Sequence, residues 1–79
     1  MEKYQKLYTT ISKIASYPKV TLSQKGSLEF GIIIGGDFMK GFELLGDIQE
    51  EIRNEIGNDF DLKIIYGEGQ DATFIFTEK

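Results

Sequence analysis

With no histidine and no cysteine in the chain, the side chains able to do chemistry are carboxylates, lysines, hydroxyls and tyrosines. Composition alone therefore removes imidazole acid–base catalysis, thiolate nucleophiles and Cys/His zinc sites. A serine or threonine nucleophile needs a base, and no spacing pairs one with a remaining basic group. Gly36 and Gly41 stand at the glycine separation of a phosphate loop, but Phe42 and Glu43 occupy the places of the lysine and hydroxyl residue that hold phosphate and magnesium. Asp37 would also repel an anion from that turn. Asn58, Asp59 and Asp61 resemble the start of a calcium loop without its glycine and distal glutamate, so turn formation explains them better. No catalytic residue, metal site or cofactor is assigned, and the expectation is a protein that is not an enzyme.

The pattern that does stand out is acidic. Asp37 to Gly57 reads as one amphipathic helix, with Phe42, Leu45, Ile48, Ile52 and Ile56 as its apolar stripe. The other side carries Glu43, Asp47, Glu50, Glu51 and Glu55. Glu43, Asp47, Glu51 and Glu55 follow one another at i,i+4 spacing, where each like-charged pair costs a helix about 0.2–0.5 kcal/mol. Arg53, on the flank, is the local relief. A face that only meets water more often alternates acids with Lys or Arg. Solubility is the plainer explanation of such a ladder, and recognition of a basic surface is the sharper one.

The elements that hold these residues follow from periodicity. Tyr4, Leu7, Tyr8, Ile11, Ile14 and Ala15 share one side of a first helix, with Lys3, Lys6, Thr10 and Lys13 opposite, and Pro18 ends it. Residues 19–23 and 27–34 alternate as a hairpin whose inward parity is Val20, Leu22, Leu28, Phe30, Ile32 and Ile34. A three-residue loop, Gln24-Lys25-Gly26 with Gly26 left-handed, keeps Leu22 and Leu28 on one face. Asp37 is the expected N-cap of the long helix, Gly41 and Gly46 are weak points within it, and Gly57-Asn58 stops it. Residues 60–66 and 72–77 form a second hairpin around Gly67 to Asp71, with Phe60, Leu62, Ile64, Tyr66, Ala72, Phe74 and Phe76 inward.

At 79 residues this is a single α+β domain, residues 1–79, built as a two-layer sandwich in the order helix–hairpin–helix–hairpin (αββαββ). A four-stranded sheet carries both helices on one face. The strands flanking the second helix are expected to run parallel through a right-handed crossover. The other sheet face is left open, with Ile33, Ile65 and Ile75 among small and polar residues.

Net charge is −4, and it is uneven: lysines dominate up to Ser27 and acids thereafter. Overall acidity argues against nucleic-acid binding, which depends on neutralising phosphates. The tyrosines and lysines of the first helix fall on opposite sides, so they do not interleave as a stacking platform. The charged N-terminus does not read as a signal peptide, and the aliphatic run Ile32-Ile33-Ile34 is too short for a membrane. A soluble cytoplasmic protein without membrane contact is expected. The leading functional reading is a small protein-binding module whose acidic helix engages a partner with a basic surface, in its sharpest form an inhibitor occupying a nucleic-acid-binding groove. Phage-type inhibitors and immunity-like proteins share this size and acidity, an analogy of composition. The alternative is a homodimer or assembly subunit that buries Ile33, Ile65 and Ile75. A third reading is weak nucleic-acid binding through Lys3, Lys6 and Lys13.

Overall fold

The computed structural model describes residues 2–79. Helix α1 (Glu2–Ala15) leads into strands β1 (Val20–Gly26) and β2 (Glu29–Ile34), followed by helix α2 (Phe38–Ile56) and strands β3 (Phe60–Tyr66) and β4 (Asp71–Glu78). The strands form one antiparallel sheet in the order β1-β2-β4-β3. Apolar stripes of both helices and the inward parity of the sheet meet in one core, the αββαββ two-layer arrangement that the alternation of periods implies. β2 and β3 do run in the same direction across α2, but β4 lies between them.

Strand order follows the apolar content of the inward faces. β2 supplies Phe30, Ile32 and Ile34, and β4 supplies Ala72, Phe74 and Phe76, all buried. These two strands take the centre, beneath the helices. The edge strand β1 places polar Gln24 at an inward position, paired with Phe30. Leu62 and Ile64 on the other edge are only half-buried. Phe76 meets Phe30 and Phe60 edge-on at centroid separations of 6.0 and 6.3 Å. Such pairs add about 0.5–1.5 kcal/mol beyond the area they bury.

Several expectations are corrected at the margins of the stripes. Thr10 is buried among the core residues of α1, and Ala15 is exposed. Tyr8 lies at the edge of the α1 stripe, its ring against Phe30 and its hydroxyl donating to the Ser27 carbonyl at 2.8 Å. The first hairpin closes through the Ser27-Leu28 turn, and β1 continues to Gly26. The extra residue that keeps Leu22 and Leu28 on one face is a bulge at Lys25, between the pairs Gln24–Phe30 and Gly26–Glu29. Left-handed glycines occur instead at Gly36, φ 90°, where β2 turns into α2, and at Gly69 in the β3–β4 loop.

Candidate partner-binding face

Helix α2 begins as expected: the Asp37 side chain accepts from the Met39 N–H at 2.9 Å. Gly57 closes the other end, its N–H donating to the Arg53 carbonyl at 2.9 Å, and Lys79 Nζ donates to the Gly57 carbonyl at 2.7 Å. That cation sits where the helix dipole favours it.

The acid ladder does not stay on one side of α2. A row at i,i+4 advances about 40° per step at 3.6 residues per turn, so four members sweep about 120° of the helix. Glu43, Asp47 and Glu50 face outward, exposed, and no ion pair reaches them among the described residues. Glu51 has turned towards α1. Its carboxylate accepts a hydrogen bond from the Tyr17 hydroxyl at 2.6 Å and pairs with Lys13 at 3.4 Å. Tyr17 first and Lys13 second hold the Glu51 carboxyl below its ordinary range, while Glu51 raises the Tyr17 hydroxyl. Glu55 is exposed on the last turn. Arg53 lies close to Gln49, at 3.5 Å, and none of the ion pairs of the described residues involves it. Among the described residues no three carboxylates gather closely enough to share a metal ion.

Beside the acids lies an apolar end that the periodicity conceals. Phe38, Met39 and Phe42 are 49%, 70% and 47% exposed, and the two phenylalanine rings stack edge-on at 4.6 Å. Phe42 belongs to the helical stripe by spacing, and Tyr66 to the inward parity of β3, yet both are exposed. A helix of this length spans about 28 Å against about 23 Å for a seven-residue strand, which leaves the first turn of α2 beyond the cover of the sheet. The β3–β4 loop partly closes the gap. The Gln70 side chain donates to the Asp37 carbonyl at 3.3 Å, and a Cβ at Gly41 would come within 2.5 Å of the Gln70 amide nitrogen. Gly41 is thus the contact point that lets the loop dock, and about two turns further along α2 Tyr66 accepts from Gln49 at 2.7 Å.

On the open sheet face, strand order decides what the isoleucines can do. Ile65 and Ile75 are diagonal neighbours on β3 and β4, since Ile65 pairs with Thr73 and Ile75 with Lys63. Ile75 is half-buried between Lys63 and Glu29. Ile33 lies on β2 opposite Asp71, with Thr73 and Asp71 separating it from the other two. The three do not form one continuous row. On α1, Lys3 pairs with Glu78, which also accepts from Tyr4, and Lys13 pairs with Glu51, so two of the three lysines Lys3, Lys6 and Lys13 are engaged internally.

Comparison with protein-family models, curated proteins and solved structures yields no match to this chain. Among the described residues no helix is long and apolar enough to cross a membrane.

Proposed function

We propose that this chain is a non-enzymatic, cytoplasmic protein-binding module that engages a basic surface of another protein through α2. In the sharpest form of the reading it is an inhibitor, its carboxylates standing in for phosphates in a nucleic-acid-binding groove. Glu43, Asp47 and Glu50, exposed and without ion pairs among the described residues, lie beside the exposed Met39 and Phe42 and carry the reading. Stable interfaces combine apolar anchors, aromatic and Met side chains prominent among them, with a polar rim, and unpaired charges of one sign speed encounter with the opposite sign. Glu55 extends the rim. Glu51 serves the fold through Tyr17 and Lys13 and contributes to the partner only as part of the summed negative field. Nucleic acid and membranes are not proposed as partners.

The test is affinity capture on the wild type and on the variant Glu43→Gln/Asp47→Asn/Glu50→Gln. Neutralising these acids removes like-charge repulsion within α2, so the variant should be at least as stable as the wild type. A basic protein retained by the wild type and lost by the variant supports the reading. Equal retention overturns it. The homodimer is the second reading, favoured by the adjacency of Ile65 and Ile75, and Ile65→Glu should then convert a dimer to a monomer in sedimentation. A chain that is already monomeric at high concentration removes that reading.

A further inference from the structure

The sheet has two outer strands, β1 and β3, and their free edges are built differently. β1 is interrupted by the bulge at Lys25 and follows Lys19, whose φ of 65° is left-handed. A bulge and edge lysines are devices that keep a strand from pairing further. β3 has no such break: its seven residues pair with β4 in unbroken register, from Phe60–Glu78 to Tyr66–Ala72. The ends of that ladder fix which backbone groups are free. The Gly67 N–H donates to the Asp71 carbonyl and the Lys79 N–H to the Asp59 carbonyl, both at 3.0 Å. Antiparallel ladders alternate hydrogen-bonded and non-hydrogen-bonded pairs, so the odd-numbered residues of β3 are those bonded to β4. Phe60, Leu62, Ile64 and Tyr66 therefore send their N–H and C=O groups to the free edge. No turn, loop or cap takes them up among the described residues. Leu62 and Ile64 are also only half-buried, and a groove of about 350 Å³ opens beside Arg53, Asp61 and Leu62.

We infer that the β3 edge pairs antiparallel with the β3 edge of a second copy of this chain, joining two four-stranded sheets into one. Charge selects both the occupant and the register. The exposed outward residues Asp61 and Lys63 are of opposite sign and two apart. With the two-fold axis at Leu62, Leu62 meets Leu62 of the second copy and Phe60 meets its Ile64. Asp61 then stands opposite Lys63 of the second copy, twice by symmetry. These are the non-hydrogen-bonded pairs, in which facing residues come closest. Opposite charges directly across two strands are favourable, and like charges are not. An axis at Asp61 or at Lys63 would set each of those charges against itself. An axis at Ile64 would place Asp61 opposite Gly67 and Lys63 opposite Ile65, without either charge pair. In the Leu62 register the even-numbered residues share the helix side, so half-buried Leu62 and Ile64 gain apolar cover. Lys79 lies 3.6 Å from Asp61, whose side chain remains 71% exposed and open to a second cation. β1 carries lysine as its charged residue, so a copy of β1 would bring it no counter-charge.

This pairing goes beyond both readings above, since it needs neither the acids of α2 nor the isoleucines of the open face. A ladder from Phe60 to Ile64 is a small interface, so the dimer belongs to high concentration. Sedimentation equilibrium up to about 1 mM should show the 9.0 kDa chain doubling in mass. Asp61→Lys and Lys63→Asp should each weaken dimerisation roughly tenfold or more, because each sets like charges opposite one another. An equimolar mixture of the two variants should regain the dimer, since every lysine then faces an aspartate. That recovery would also show that both variants fold. In hydrogen exchange the amides of Phe60, Leu62 and Ile64 should gain protection with concentration. Those of Asp61 and Lys63, already bonded to β4, should not change. Ile65→Ser should dimerise as the wild type does. A wild type that stays monomeric overturns the inference, as do single variants that dimerise like it. Weakened variants that fail to recover on mixing overturn the Leu62 register. A dimer lost on Ile65→Ser, with no protection of the even-numbered amides, belongs to the open face and not to this edge.

Discussion

The Tyr17–Glu51 hydrogen bond ties the loop after α1 to the middle of α2, and it is the residue-scale feature with the clearest pH signature. Glu51 is held below its ordinary range, so its contribution is present above the unfolded carboxylate value and is lost as pH falls through the folded one. Tyr17 is raised, so its contribution is present at neutral pH and is lost as pH rises through its folded value. Tyr17→Phe should cost about 1 kcal/mol at neutral pH. It should also flatten the loss of stability between about pH 6 and pH 3. Urea denaturation across that range checks both, and an unchanged acid slope would show that the Tyr17 hydrogen bond is not what holds Glu51 ionised in the folded chain. Sequence spacing exposed the ladder but could not show that its third member leaves the outer face. That depends on how α2 is rotated against α1, which is set by packing of Leu45, Ile48 and Ile52.

At the scale of elements, α2 carries two glycines with opposite consequences. A Cβ at Gly46 meets nothing within 4 Å, and Gly46→Ala should stabilise the chain by about 0.5–1 kcal/mol. Gly41→Ala should forfeit that gain, because its Cβ displaces the Gln70 amide and breaks the bond to the Asp37 carbonyl. Thermal denaturation of the pair decides this; equal stabilisation by both would mean that the loop does not dock on Gly41. The bounds of α2 were readable because Asp37 and Gly57 are end signals with a local mechanism. The inward faces of the strands were readable from alternation. The order of the strands was not, since parity says which side a residue faces and nothing about its neighbour. Likewise the odd residue count of the first hairpin was correct arithmetic, met by a bulge at Lys25 rather than by a longer loop. The exposure of Phe42 and Tyr66 escaped the sequence for a related reason: periodicity fixes a face, and burial needs something opposite it.

For the molecule as a whole, a domain of this size has about 4–12 kcal/mol of total stability. Ile52 is 1% exposed in the core, and Ile52→Ala should remove about 2–5 kcal/mol of it. Ile33→Ser, on the open sheet face, should change stability by less than about 0.5 kcal/mol. Denaturant midpoints test the pair, and a large loss at Ile33 would reveal that the open face is covered in solution. Net charge is −4, but folding redistributes it: Lys3 and Lys13 are drawn to Glu78 and Glu51, and the outer side of α2 keeps Glu43, Asp47, Glu50 and Glu55 exposed against two exposed cations, Lys40 and Arg53. Beside it, Phe38, Met39 and Phe42 supply apolar area, about half or more of which the described residues leave exposed.

The central claim is that this surface recognises a basic protein. Its most direct measurement is the affinity of the captured partner for the wild type and for Glu43→Gln/Asp47→Asn/Glu50→Gln, each at low and at high salt. The account predicts wild-type binding that weakens as salt screens the charges, and a variant that binds more weakly with little remaining salt dependence. Equal affinity of the two chains at both salt concentrations would contradict it.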